Sequence, residues 1–286
     1  MSEHIANDTI LVTGATGKVG RRLVEILRDA GREVRAVSRS TEIPFDWTDS
    51  STWDKALEGV TAVYIIAPDH PFPAEEFAAA AAKAGVRRLV AQSGRRVQDL
   101  AAAAGVGPEA IGMYAAQAAV QGSGIEWTVL QPNNFNENFS EGDYLPGILA
   151  GEIALPLADT TEPLIAVADI AAVAAAVLTE DGHHGQVYEL TGPESLTMGE
   201  AAAAIAAASG KTVVYRAETP EEHDAALRAA QLPEELVGFL NLMYQFMREG
   251  NMSPTTDNVE RILGRAPIAF ADWAFDAAKA GAWTQA

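Results

Sequence analysis

The chain has 286 residues, of which 48% are hydrophobic, and 39 acidic residues against 20 basic ones give a formal charge of −19. This size can bury one large core or two modest ones, and the negative charge argues against a broad surface for nucleic acids or anionic membranes. There is no cysteine and none of the five histidines has H-E-x-x-H spacing, so disulfides and thiolate chemistry are excluded and no metal site is predicted.

The first predicted elements are a strand and a helix that enclose the glycine turn TGATGKVG. Glycine inside either element costs roughly 0.5–1 kcal/mol relative to alanine, so three glycines at this spacing need a local reason. A strand, a glycine turn and a helix in this order direct backbone N–H groups and the positive helix end at a phosphate, and small residues let a pyrophosphate approach. The turn is therefore predicted to bind a dinucleotide through Gly14, Thr16, Gly17, Lys18, Val19 and Gly20.

Strands and helices alternate through the first half of the chain. Such alternation predicts right-handed β-α-β units, and hence an α/β fold with a Rossmann-like, doubly wound parallel sheet. The predicted strands are 9–12, 33–38, 60–67, 87–92 and 126–131, with a short additional one at 44–46. The predicted helices between them are 18–30, 51–57, 73–84 and 109–122.

The second half is irregular after residue 132 and then mostly helical. A helix at 170–178 precedes a strand at 186–190, which is expected to return to the sheet. The remaining predicted elements are helices at 198–208, 220–230, 233–249, 257–263 and 270–280 and a strand at 213–216. We therefore expect an NAD(P)-binding Rossmann domain over 1–150 and a smaller, mostly helical substrate-side region over 151–286, packed over the carboxyl edge of the sheet, where open α/β folds bind ligands.

The end of the second strand indicates which dinucleotide is bound. NAD-preferring sites place Asp or Glu there to hold the ribose hydroxyl, whereas this chain has Ser38 and Arg39. An arginine pairs with a 2′-phosphate, so Arg39 favours NADP over NAD, although Lys18 or Arg21 are alternative phosphate partners and Arg39 is alternatively a solvent-facing turn residue. Further adenosine contacts are predicted for Asp46, Ala67 and Pro68.

Several motifs, in order, resemble those of one family. These are TGATGKVG, AVSRS, FDWTD, AVYIIAP, SGIEWTVLQPNNFNENF and VADIAAVAAAVL, and the match extends to NVERILGRAPIAFADWA near the end of the chain. Together they resemble the NmrA-like group of atypical short-chain dehydrogenase/reductase proteins. FDWTDSSTW with AVYIIAP is similar to the ergot-alkaloid-type reductases and their bacterial relatives. The resemblance implies a Rossmann-like domain that binds NADP(H), with reductases, quinone oxidoreductases, tailoring enzymes and non-catalytic redox sensors as members.

The resemblance also implies roles for residues after the later strands. Arg39 matches the 2′-phosphate position, and the segment containing Ser93 would run past the nicotinamide. The arginine–proline pair that the family carries after the sixth predicted strand, 126–131, reads Gln131–Pro132 here, which keeps Pro132 as a cofactor contact and removes one cation from the edge of the site.

The usual catalytic pair of short-chain dehydrogenases, Tyr-x-x-x-Lys, is absent. That spacing places both side chains on one helix face, where the ammonium helps the tyrosine exchange a proton with a carbonyl oxygen. Here Tyr114 is followed four positions later by Ala118, and in the alternative register Glu109 and Met113 occupy the two places. Tyr114 is interpreted as either a proton donor or a packed helix tyrosine. Ser93 is either a hydrogen-bond donor to the nicotinamide amide or substrate, or an ordinary strand-end serine.

Residues at the predicted edge of the sheet are candidate substrate contacts. Arg95, with Arg96, is placed to clamp an anionic substrate or cofactor phosphate, or is solvated surface. Aromatic and methionine residues near 243–247 either roof the pocket or form helix-packing contacts. The substrate candidates are Arg95, Asn133, Phe135, Tyr244 and Met247.

These features predict an NADP(H)-dependent reductase of an activated small organic molecule, such as an iminium ion, a quinone or a conjugated carbonyl compound, in a tailoring step of secondary metabolism. The alternative is a non-catalytic NADP(H) redox sensor of the NmrA type, and no feature supports a purely structural scaffold. The expected partner is a small-molecule substrate, with neither nucleic acid nor membrane, and the expected state is a monomer or homodimer. The opening residues MSEHIAND lack a secretory pattern and the apolar run 170–178 is too short to span a bilayer, so a cytoplasmic location is expected.

Overall fold

The computed structural model describes residues 8–68 and 70–284, which divide into two compact units. The sheet unit comprises the described residues up to Pro132 together with 167–190 and 261–264, and the second unit comprises 133–166, 191–260 and the residues from 265 onward. The units part at Pro132, earlier than the expected boundary at 150, because the chain leaves the sheet where its fifth strand ends.

Six parallel strands form the sheet, in the order β2-β1-β3-β4-β5-β8. This order, in which β2 lies on one side of β1 and the other four strands lie on its other side, is a Rossmann-like α/β arrangement, the fold class that the alternation of elements predicts. The strands of the chain are β1 (Thr9–Val12), β2 (Glu33–Ala36), β3 (Val60–Ile66), β4 (Arg88–Gln92), β5 (Glu126–Pro132), β6 (Glu152–Leu155), β7 (Thr161–Glu162), β8 (Gln186–Leu190), β9 (Leu196–Thr197) and β10 (Val214–Ala217).

Helices flank the sheet and are the main secondary structure of the second unit. In the sheet unit α1 packs against α8 and α3 packs against α5. The helices are α1 (Lys18–Asp29), α2 (Trp53–Leu57), α3 (Ala74–Lys83), α4 (Val97–Ala104), α5 (Gly112–Gly122), α6 (Asn138–Glu141), α7 (Leu145–Ala150), α8 (Val167–Thr179), α9 (Met198–Ser209), α10 (Pro220–Ala229), α11 (Glu234–Arg248), α12 (Asn258–Leu263) and α13 (Phe270–Lys279). In the described part of the chain, no helix combines the length and apolar character needed to cross a bilayer.

The core of the sheet unit is built from short apolar strands. Leu11, Val63, Leu89 and Val129 lie on neighbouring strands and are fully buried. Strands that are covered on both faces carry continuous apolar runs rather than alternating ones, which is why four-residue segments such as TILV are readable in the sequence. This core fixes the carboxyl ends of β1, β3 and β4 side by side.

The second unit has an aromatic core and small sheets of its own. Its strands pair as β6 with β10, in parallel, and as β7 with β9, antiparallel. Helices α9 and α10 both begin with a capping box, in which Thr197 and Thr219 exchange hydrogen bonds with a glutamate three residues later. The indole N–H of Trp283 donates to the Phe139 carbonyl, which ties the end of the chain to α6.

The structure differs from the predicted elements at several points. Residues 44–46 form no strand, because Pro44 and Asp46 make only isolated bridges with Ser38 and Asp49. The helix expected over 109–122 begins at Gly112, after a separate 3-10 turn over Pro108–Ala110. The segment before it contains α4, which is not among the predicted helices.

Candidate cofactor and substrate site

The glycine turn is closed so tightly that side chains do not fit at two of its three glycines. Gly14 has a positive φ of +59°, and a Cβ there would lie 3.1 Å from the Ile66 Cβ. A Cβ on Gly20 would overlap the Gly14 carbonyl oxygen and lie 2.9 Å from the Ala15 Cα. The Gly17 N–H donates to that same Gly14 oxygen at 2.9 Å. Gly14 and Gly20 therefore shape the turn itself.

Gly17 has a different position from the other two glycines. It is the N-cap of α1 with extended backbone (φ −77°, ψ 177°), and within the described residues no side chain caps this helix end. The first turn of a helix presents backbone N–H groups and the positive end of the macrodipole, which together bind anions. The turn thus fits a pyrophosphate.

The residues after β2 form a second, exposed turn. The Ser38 N–H donates to the Thr41 hydroxyl at 2.8 Å, and the hydroxyls of Ser38 and Ser40 lie 3.3 Å apart. Arg39 stands exposed in this turn. The pKa of the Asp46 carboxyl is lowered, mainly by hydrogen bonds from the Thr48 N–H and hydroxyl and to a smaller extent by the charge of Arg39. The turn therefore presents hydroxyls and a guanidinium to solvent, a set of groups suited to a phosphate.

Thr13 ties the residue that follows β1 to the end of β3. Its hydroxyl donates to the Tyr64 carbonyl at 3.2 Å and accepts from the Ile66 N–H at 2.9 Å. This side chain holds the start of the glycine turn next to Ala67 and Pro68, the two residues that follow β3. Sequence reasoning missed it, since a threonine before a glycine motif has no distinguishing spacing.

Ser93 lies at the end of β4 and is 5% exposed. Its N–H donates to the Leu130 carbonyl at 2.8 Å, while its buried hydroxyl has no hydrogen-bond partner among the described residues. Buried hydroxyls are rarely left without a partner. This orphan donor at the carboxyl edge of the sheet fits a polar ligand group such as a carboxamide.

Helix α5 carries Tyr114 but does not build a tyrosine–lysine face. A Cβ on Gly112 would overlap the Pro68 carbonyl oxygen, and the Met113 sulfur lies 2.6 Å from where a Cβ on Gly94 would be. Tyr114 is half-buried. Glu109 lies in the preceding 3-10 turn, so the alternative register does not place its two positions on one helix.

A glutamine network that the sequence analysis did not identify lies beneath the end of β5. The buried Gln131 amide donates to the side-chain oxygens of Gln117 on α5, at 2.9 Å, and of Gln98 on α4, at 3.2 Å. This chain therefore uses a neutral amide to hold two helices against β5, at the position where the resemblance implies an arginine. The only sign of this network in the sequence is a glutamine at the end of a buried strand.

Arg95 is directed into the sheet unit. Its side chain is 3% exposed and its Nε donates to Glu189 of β8 at 2.8 Å. A buried charge needs such a partner, and removing one member of a buried pair is strongly destabilising. The geometry favours a role for Arg95 in holding the loop after β4 to β8, and its contact with substrate stays a prediction. Arg96 adopts a left-handed conformation (φ +54°) and pairs with Asp99.

The other substrate candidates lie in the second unit. Asn133 is buried and its amide donates to Glu162 at 2.8 Å, while its own carbonyl oxygen has no hydrogen-bond partner in the described part of the chain. Phe135 is half-buried and bridges to Ile165. Tyr244 and Met247 are buried on α11 within the aromatic core. Their part in substrate binding stays a prediction, and Glu162 is a buried carboxylate that sequence reasoning missed.

Burial raises the pKa of Tyr244 to about 12, so the free energy of unfolding should depend on pH in the alkaline range. Above the unfolded value of about 10 the unfolded state loses its proton first, so stability is retained below pH 10 and falls by about 1.4 kcal/mol per pH unit up to pH 12. We expect Tyr244→Phe to remove this contribution. Urea unfolding of both proteins between pH 8 and 12 measures it, and a difference in stability that is constant with pH contradicts the assignment.

Residues 14–181 match a family described as NAD(P)H-binding. The NAD(P)H azoreductase of Xenophilus azovorans is 33% identical over 283 residues, which are 93% of this chain and 96% of that protein. The (4-alkanoyl-5-oxo-2,5-dihydrofuran-3-yl)methyl phosphate reductase of Streptomyces griseus subsp. griseus is 33% identical over 289 residues, covering 95% and 98%. The NADPH complex of the quinone oxidoreductase QOR2 from Escherichia coli superposes with a TM-score of 0.76 at 25% identity, covering 93% and 98%.

The predicted resemblance is confirmed. Agroclavine dehydrogenase of Claviceps fusiformis is 29% identical over 287 residues, covering 94% of this chain and 96% of that protein. The fold of NmrA in complex with NADP matches with a TM-score of 0.74 at 18% identity, over 96% and 97% of the two chains. The matched stretch begins at Gly14, so it contains the glycine turn and α1 and starts just after β1. The chain belongs to the NAD(P)H-binding family.

Proposed function

We propose that this protein is an NADPH-dependent reductase of a small, electron-poor organic molecule. The observation that carries the proposal is the combination of a closed glycine turn at the uncapped start of α1 with a helix α5 that carries Tyr114 but no lysine. The first feature supports a bound dinucleotide. The second supports a reaction that needs little help from a protein acid.

Different segments of the chain would hold different parts of the cofactor. The first turn of α1 would hold the pyrophosphate, the turn containing Ser38 and Arg39 the 2′-phosphate, and the Ser93 hydroxyl the carboxamide of the nicotinamide. Bound NADPH supplies a hydride from C4 of its nicotinamide. The protein's task is then to hold the acceptor atom at about 3–3.5 Å and to exclude water.

The names of the relatives support an activated acceptor. They describe reduction of azo compounds, quinones and an alkanoyl-dihydrofuranone phosphate. In all three acceptor types the added electron pair is delocalised, so the product anion can be protonated by water. An iminium ion, which becomes neutral on accepting hydride, belongs to the same class. We extend the proposal to a tailoring step in secondary metabolism, supported by the alkaloid dehydrogenase relative.

Oxidation of NADPH, followed at 340 nm with a quinone, an azo dye, a conjugated enone and an iminium salt, tests the proposal. We expect turnover with at least one of these acceptors and little with cyclohexanone. The absence of Tyr-x-x-x-Lys also favours a second candidate, a non-catalytic NADP(H) sensor. Tight binding of both NADPH and NADP⁺ without turnover of any acceptor would support the sensor and contradict the reductase.

Arg39→Asp is expected to reverse the cofactor preference. The change removes a charge-assisted pair with the 2′-phosphate, about 1.5–3 kcal/mol, and places a carboxylate that repels it. Calorimetric titration should show NADPH binding weakened by about tenfold to a hundredfold and NADH binding unchanged or improved. Arg21→Asp is the matched control, since it tests the alternative phosphate partner on α1. A wild-type protein that binds NADH as tightly as NADPH would contradict the role of Arg39.

A further inference from the structure

Helix α13 carries the most exposed large hydrophobic side chain of the described chain. Phe275 is 63% exposed, whereas Phe270, Trp273 and Ala274 of the same helix are buried in the aromatic core. An exposed phenyl ring at the centre of a helix face loses the free energy of burial, roughly 25 cal/mol per Å² of apolar area. Contact with another molecule would recover it.

A groove of about 310 Å³ adjoins this ring. It lies between the ends of α9 and α13, and its walls include Ala208, Ala278 and the edge of Trp283. Lys211 and Lys279 stand at its rim. The groove is thus apolar inside and positive at its border, in a chain whose overall charge is strongly negative.

The charges on the exposed face of α13 are arranged symmetrically around the phenyl ring. Asp272, Phe275, Asp276 and Lys279 are all exposed and recur at helical spacing. Asp272 and Lys279 stand equally far, about 5 Å along the axis, on either side of the midpoint between Phe275 and Asp276. Among the described residues neither of the two outer charges belongs to an ion pair.

This symmetry selects one partner. If two copies of the helix pack antiparallel about a two-fold axis, Asp272 of each copy meets Lys279 of the other and the two Phe275 rings meet at the centre. A parallel arrangement would place like charges opposite each other. A two-fold contact must be self-complementary, and this face is.

We propose that the exposed face of α13 is the contact of a homodimer, in which the two Phe275 rings meet at the centre, beside the groove that each of them lines, and two Asp272–Lys279 pairs flank the rings. A single helix face and a groove fall at the small end of specific interfaces, below about 1,200 Å². Two copies of charge −19 also repel each other over the Debye length. The dimer is therefore expected to be weak, with a dissociation constant in the micromolar range.

Sedimentation velocity of the full chain over a range from micromolar to several hundred micromolar protein tests the contact. We expect a reversible monomer–dimer equilibrium that Phe275→Glu weakens by at least about tenfold. Leu236→Glu is the matched control, since that leucine is also exposed, at 42%, but belongs to α11 and not to the proposed contact, and it should leave the equilibrium unchanged. A wild-type protein that stays monomeric, or a dimer that Phe275→Glu leaves intact, overturns the proposal.

Charge exchange tests the antiparallel register. Asp272→Lys alone and Lys279→Asp alone should each weaken association, and the double variant should restore it, because the pair is re-formed with opposite polarity. Asp276 supplies an internal contrast. It lies across the exposed face of α13 from Phe275, and in the antiparallel dimer it would face Asp276 of the other copy. Asp276→Asn should therefore strengthen the dimer, whereas Asp272→Asn should weaken it.

Failure of the double variant to recover association would overturn this register even if a dimer exists. NADPH binding by every variant, measured by calorimetry, reports on a correctly folded sheet unit. Because the contact lies wholly in the second unit, these outcomes do not depend on whether the protein is a reductase.

Discussion

Gly17→Val should abolish binding of NADPH while leaving the fold largely intact. The backbone of Gly17 is extended, with a negative φ that any residue adopts, so the substitution introduces no backbone strain. A Cβ at this position would lie 3.2 Å from the Gly14 oxygen, a tight contact that a small shift relieves. The added methyl groups would instead occupy the space where a pyrophosphate approaches the start of α1. Calorimetry for binding and circular dichroism with thermal melting for the fold distinguish the two effects.

Two other glycines provide the controls for this result. Gly20→Ala should lower the melting temperature on the order of 10 °C, since its Cβ would meet backbone that cannot yield without opening the turn, an overpacking cost of about 1–3 kcal/mol or more. Gly122→Val, on α5, adds the same bulk where nothing lies within 4 Å, and it should leave NADPH binding unchanged. Normal binding by Gly17→Val would show that the glycine turn does not hold the dinucleotide.

The contrast between Gly17 and Gly20 shows which features of this site could be predicted from the sequence and which could not. The strand, turn and helix were predictable because each rests on a local pattern: an apolar run, a glycine spacing and a helical period. It was not predictable which glycine serves the ligand and which serves the fold, because that depends on how close an added Cβ would come to the Gly14 carbonyl. The parallel sheet was likewise predictable from the alternation of strands and helices. The start of α5 at Gly112 was not, because its backbone there lies close to Pro68, a residue distant in the sequence.

Buried polar contacts were the least predictable part of the molecule. Arg95 and Glu189 are 94 positions apart and meet only because β4, β5 and β8 are neighbours in the sheet. A basic residue in a loop is typical of a solvated or ligand-binding position, and no local pattern indicates that it is buried. The orphan hydroxyl of Ser93 is likewise visible only after its surroundings are known.

The missing tyrosine–lysine pair should affect most strongly which acceptors the protein reduces. A simple ketone develops alkoxide charge as it accepts hydride, and general acid help with that charge is worth about 10²–10⁴ in rate. This chain has Met113 beside Gly94 and no lysine on α5, so we expect such ketones to be reduced more slowly than a quinone or an iminium ion by at least that factor, about 10²-fold.

Tyr114→Phe is the variant that decides whether a protein acid takes part. Its hydroxyl lies on the helix that should carry the acid, yet an acceptor that delocalises charge does not need it. Turnover of an activated acceptor should therefore fall by less than about tenfold, below the range of general acid catalysis. The kcat values of wild type and variant with one quinone and one ketone, at saturating NADPH, measure this. If the wild-type protein reduces simple ketones rapidly and the variant does not, Tyr114 is the proton donor and the chemistry depends on a protein acid after all.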